Sequence, residues 1–102
     1  MKSTVNITLE NIIQRKILYF QNDDNEELFD MNAGYVRGFN QMLLDMNLTE
    51  TEFVKKYSDI VKSLKDMFEN SEGNIDELSG YNNAIVDVLC LLDEKYLYDE
   101  NL

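Results

Sequence analysis

The chain has 102 residues with nine Lys and Arg against twenty Asp and Glu, no His and one Cys, a formal charge of −11. That length supports one domain, residues 1–102, around a single modest core. The charge opposes direct contact with nucleic acid, which needs cations to displace counterions from phosphate, and opposes docking on an anionic membrane; lack of His and a single Cys remove the commonest general base and zinc ligand and any internal disulfide.

Residues 1–7 read as an arm or a short edge strand, because Val5 and Ile7 alternate with polar neighbours. The N-terminus lacks the unbroken apolar run of a signal peptide, and no stretch reaches membrane-spanning length, so a reducing, cytoplasmic setting is expected. Thr8 is placed to cap a first helix over about 9–20, with Ile7 and Ile12 as its hydrophobic staple and Leu9, Ile12, Ile13, Ile17 and Phe20 facing inward. Asp24, with Glu27 three residues on, would cap a second helix over about 25–46 whose inward residues are Leu28, Met31, Tyr35, Phe39, Met42 and Met46. Gly34 and Gly38 lie inside it, each costing roughly 1 kcal/mol against Ala in an exposed helix. A close backbone approach by a neighbouring helix would offset that.

Thr49-Glu50-Thr51-Glu52 is a capping box, with Leu48 and Phe53 as its staple, and predicts a third helix over about 50–69. Its apolar face is Phe53, Tyr57, Ile60, Val61, Leu64, Met67 and Phe68, and Gly73 suits a left-handed stop. Asn74, with Glu77 as capping-box partner, then starts the most uniformly apolar segment, 74–98. Ile75, Leu78, Ile85, Val88, Leu89 and Leu92 share one face there, and Cys90 reads as a buried, inert thiol. Residues 99–102 read as a frayed acidic tail.

The expected fold is all-α, a compact four-helix bundle. Ile7-Thr8 parallels Leu48-Thr49 and Gly38-Phe39-Asn40 parallels Gly80-Tyr81-Asn82, at offsets of 41 and 42, which is the pattern of two related helical hairpins. Gly34-x-x-x-Gly38 and Gly80-x-x-x-Ala84 are small-residue stripes for close helix packing within the chain or for a homodimer seam; both alternatives are open at this stage.

The negative charge gathers in two groups: Asp23, Asp24, Glu26, Glu27 and Asp30, then Asp76, Glu77, Asp93 and Glu94. One reading is a solvated face that keeps a small protein in solution. The other is a partner-binding surface for a basic protein, one that itself binds nucleic acid. No phosphate loop is present, and Asp23 to Gly34 fails as a calcium loop because Leu28 and Gly34 replace its turn glycine and bidentate Glu. The carboxylates fall on exposed positions where nothing would split their pKa values. The expectation is a non-enzymatic protein with no catalytic residues, metal or cofactor.

Gly80-Tyr81-Asn82-Asn83-Ala84-Ile85-Val86-Asp87-Val88-Leu89, and with it Gly34-Tyr35-Val36-Arg37-Gly38-Phe39-Asn40, resembles a phrase found in small acidic helical accessory proteins of bacteriophages and prophages. The resemblance implies a host-takeover or counter-defence role in the host cytoplasm, of the anti-CRISPR or anti-restriction kind, in which an acidic inhibitor blocks a nucleic-acid-binding groove. It carries over no individual residue. An immunity protein for a nuclease toxin and a dimerising regulatory helical module are the alternatives.

Overall fold

Leu9, Ile13 and Ile17 recur at four-residue steps and form one buried stripe. In the computed structural model, which describes the backbone of residues 4–92 and the side chains of residues 9–92, this stripe belongs to α1 (Thr4–Gln21). The helix already includes Val5, Ile7 and Thr8, so neither the edge strand nor the Thr8 cap forms there. Each added residue gains one hydrogen bond once a helix is nucleated, and no Gly or Pro interrupts the run, so propagation wins over a good internal cap. Met1 to Ser3 lie outside the described residues.

After α1 the chain turns on Asn25 rather than Asp24. The Asn25 side-chain oxygen accepts the Glu27 N–H at 3.0 Å, and Asp23 accepts the Asn25 N–H at 3.0 Å. A single 3₁₀ turn (Glu26–Leu28) leads into α2 (Phe29–Leu44), so Leu28, expected inward, is exposed. The third helix, α3 (Glu50–Glu69), has the bounds expected of it. Thr49 Oγ1 accepts the Glu52 N–H at 3.2 Å while the Glu52 carboxylate accepts the Thr49 N–H at 3.1 Å. Two otherwise orphaned donors are satisfied, which is why this start is so well marked.

α3 stops differently from expectation. The Glu72 N–H reaches the Met67 carbonyl at 3.0 Å and the Ser71 N–H reaches Phe68 at 3.2 Å, a Schellman closure. The left-handed residue it needs is Ser71, φ 55°, and Gly73, φ 73°, turns the chain two residues later. Asn74 then accepts the Glu77 N–H at 3.2 Å and starts α4 (Ile75–Leu92). The Glu77 carboxylate does not complete a capping box; it turns to Arg37 at 3.0 Å. Ile75 is exposed and Cys90 half-buried, where both were expected inside. The extension of α4 toward residue 98 and the acidic tail lie outside the described residues.

The described residues form an all-α four-helix bundle of two hairpins. Phe20 stacks on Tyr35 at 4.0 Å between centroids, while Leu9 and Met46 line one cleft at the far end, so α1 and α2 are antiparallel. Phe53 and Leu92 line the same cleft, and α3 and α4 are antiparallel as well. The two hairpins join through α2 and α4, which run parallel. Tyr57, Phe39, Ile13, Met42, Ile85 and Val88 are fully enclosed around this pair.

Glycine sets how closely α2 and α4 approach. The Glu77 carbonyl oxygen stands 1.9 Å from where a Cβ on Gly34 would be, and the Met31 carbonyl oxygen 1.9 Å from where a Cβ on Gly80 would be. The nearest amide nitrogens are those of Tyr81 and Tyr35 respectively. These contacts are reciprocal, as a local two-fold axis between the helices requires. Gly34 therefore corresponds to Gly80, an offset of 46 in place of the 41 and 42 suggested by sequence. Gly38 faces the Ala84 Cβ. All four small residues are covered inside the molecule, so a homodimer seam built from them would have to open this contact.

Gly34→Ala and Gly80→Ala should each destabilise by roughly 2–3 kcal/mol, despite the better helix propensity of Ala, because a backbone carbonyl cannot move aside. Gly38→Ala, whose new Cβ would stand 2.9 Å from the Ala84 Cβ and 3.2 Å from the Tyr81 carbonyl oxygen, should cost less because the overlap is smaller. Urea unfolding followed by circular dichroism tests that order, and equal losses at all three sites would contradict it. At the α3 stop, Ser71→Gly should stabilise by about 0.5–1 kcal/mol through relief of the left-handed conformation; an unchanged urea midpoint would contradict that.

Candidate functional site

Two stretches that are far apart in sequence converge because α2 and α4 are parallel. The α1–α2 connection and the start of α2 carry Asp23, Asp24, Glu26, Glu27 and Asp30; the end of α3, its loop and the start of α4 carry Asp66, Glu69, Glu72, Asp76 and Glu77. Both stretches lie at the same end of the bundle, and the Asn74 amide joins them by donating to Asp30 at 3.3 Å. Neither stretch contains a Lys or Arg. Arg37, further along α2, pairs with Glu77 at 3.0 Å and lies 3.9 Å over the Tyr81 ring. No hydrogen bond or ion pair within the described residues reaches the carboxylates of Asp24, Glu26, Glu27 or Asp76. Asp93 and Glu94 lie outside the described residues.

A second polar constellation, further along the bundle, is not legible in the sequence. Tyr57 is fully buried and donates its hydroxyl to Asp45 at 2.5 Å, and Lys56 reaches the same oxygen at 2.7 Å. Gln41 hydrogen-bonds to Tyr57 and accepts the Tyr81 hydroxyl at 2.6 Å, so α2, α3 and α4 share one network. Burial, followed by the Asp45 bond and charge, pushes the Tyr57 hydroxyl far above the ordinary tyrosine range. Partial burial tends to raise Asp45, but the Lys56 and Tyr57 hydrogen bonds and the Lys56 charge outweigh it and hold the carboxylate below its usual value. A phenol so hard to ionise, facing a carboxylate so easily ionised, is a fixed donor–acceptor pair. It is suited to joining helices rather than moving protons.

Asp87 behaves in the opposite way. It is exposed by area, yet protein mass crowded around the carboxyl pushes its pKa up, with the charge of Lys16 opposing. On α2, Asn32 is buried, and among the described residues its side-chain nitrogen has no hydrogen-bond partner. Among the described residues no group of three or more acidic or Cys side chains is arranged to hold a metal ion, and no helix is long and apolar enough to cross a membrane. Comparison with protein-family models, curated proteins and solved structures finds no match to this chain.

Because the folded pKa of Asp45 is depressed, its contribution to stability is fully present above its ordinary value of 3.8 and is lost as pH falls through the lower, folded value. Asp45→Asn should therefore cost about 1–2 kcal/mol at pH 7, and the gap to the parent protein should narrow on acidification. Urea unfolding across that pH range tests it; a gap constant with pH would remove the ionised carboxylate from the account.

Proposed function

We propose that this chain is a non-enzymatic binding protein that inhibits its partner, its acidic end occupying a basic, nucleic-acid-binding groove on another protein. The observation that carries this reading is the gathering of two acidic stretches at one end of the α2–α4 pair, with most of their carboxylates reached by no hydrogen bond or ion pair within the described residues. Carboxylates held at fixed spacing on helix ends can take the places of backbone phosphates. Arg–carboxylate pairs formed there are strong where the geometry is good, and the clustered charge speeds encounter. A phage counter-defence protein, as the resemblance of the Gly80 to Leu89 segment implies, is the setting in which we place it.

The test uses the immobilised chain and a bacterial lysate. Nucleic-acid-binding proteins should be retained at low salt and displaced both by high salt and by added duplex DNA. Converting Asp23, Asp24, Glu26 and Glu27 to Lys should weaken capture at least tenfold, about 1.4 kcal/mol. Converting Glu72 and Asp76 to Lys should weaken it comparably, because the two stretches form one surface. Capture at low salt that is indifferent to either set would overturn the reading.

A further inference from the structure

Seven large apolar side chains are exposed among the described residues, and their distribution is uneven. Leu18, Tyr19, Leu28, Phe29 and Ile75 are all at the acidic end; only Leu44 and Leu91 are elsewhere. Phe29 is 72% exposed, Tyr19 70% and Leu18 58%. Phe29 and Ile75 are the opening residues of α2 and α4, corresponding positions about the Gly34–Gly80 contact, and each is followed directly by an aspartate, Asp30 and Asp76. Single exposed apolar residues need no explanation, but five confined to the end with the densest charge do.

We infer that this end recognises a basic amphipathic segment, most simply a helix with Lys and Arg on one face and aliphatic side chains on the other, in which Phe29 and Ile75 receive the aliphatic groups and the flanking carboxylates receive the cations. This rests on the acidic-end reading above and deepens it by naming the partner's chemistry. Charge alone would be satisfied by any polycation. Exposed Phe29 and Ile75 add a requirement that a uniformly charged partner does not meet, because apolar side chains covered by a partner contribute binding energy beside the charge. A second copy of the chain is a poor occupant, because two such ends would bring like charges face to face.

The inference is tested by fluorescence anisotropy of two labelled peptides of equal positive charge on the full chain at low salt. One carries leucines at helical spacing between its lysines, and in the other serines replace them. The leucine peptide should bind at least tenfold more tightly, and Phe29→Ser with Ile75→Ser should bring it to the level of the serine peptide. Leu44→Ser, at the other end of α2, should leave the preference intact. Equal binding of both peptides would overturn the apolar contact while leaving the acidic surface standing. Failure of both peptides to bind, with no change on charge reversal, would overturn the two together. Sedimentation of the chain alone should show a monomer; a dimer dispersed by Phe29→Ser would assign the apolar pair to self-association instead.

Discussion

Between α2 and α4 two backbones meet with no side chain between them, and most of the architecture follows from that contact. A carbonyl oxygen on each helix occupies the space that a Cβ would take on the other, so only glycine is tolerated at Gly34 and Gly80. Such an approach brings Cα–H groups up to carbonyl oxygens, interactions of about 0.5–1 kcal/mol each. Phe39, Ile85 and Val88, on the same two helices, are fully buried. Parallel packing has an electrostatic cost, since the positive ends of two helix dipoles stand side by side. Asp30 in the first turn of α2, and Asp76 and Glu77 in the first turn of α4, offset it. The contact therefore explains why negative charge belongs at this end, and part of the acidic cluster serves the fold itself.

The use made of the other carboxylates separates structure from surface. Asp45 is committed to Tyr57 and Lys56, Glu52 to the cap of α3, Glu77 to Arg37 and Asp59 to Lys55 at 3.3 Å. Backbone and side-chain bonds from Thr49 hold the Glu52 pKa down, as expected of a carboxylate that accepts donors at a helix start. Asp24, Glu26 and Glu27 have no such duty. They precede α2 in a connection already closed by Asn25, so the turn does not need their charge.

How much could be read from sequence depended on whether the signal was local. The bounds of α3 were legible because Thr49 and Glu52 satisfy each other within one turn. The close approach at Gly34 was legible because an interior glycine needs a compensating cause. The start of α1 was not, because helix propagation overrode Thr8. Asn25 displaced Asp24 as the cap because the two side chains offer the same acceptor and a 3₁₀ turn shifted the frame by one residue. The pairing of α2 with α4 depends on tertiary packing, yet it left a trace: Gly34-Tyr35 recurs as Gly80-Tyr81, a better guide to the true offset than the likeness of Gly38-Phe39 to Gly80-Tyr81. The Asp45–Tyr57–Gln41–Tyr81 network joins three helices, and no spacing rule in one dimension reports it.

A coat of charge that only keeps a protein in solution works best when dispersed, with both signs interleaved and apolar groups kept apart from one another. The molecule follows that rule along most of α3, where Glu50, Glu52 and Asp59 are interspersed with Lys55, Lys56, Lys62 and Lys65. At the outer ends of α2 and α4 it does the reverse: one sign of charge, no cations, and exposed Phe29 and Ile75 between the carboxylates. The glycine contact beneath holds these residues on two helices whose relative position is fixed. Their ordering is thus done in folding rather than at the moment of contact, the condition under which a small surface binds well. The departure from the pattern of α3, at the outer ends of the two helices joined by the glycine contact, is the feature on which the proposed partner surface rests.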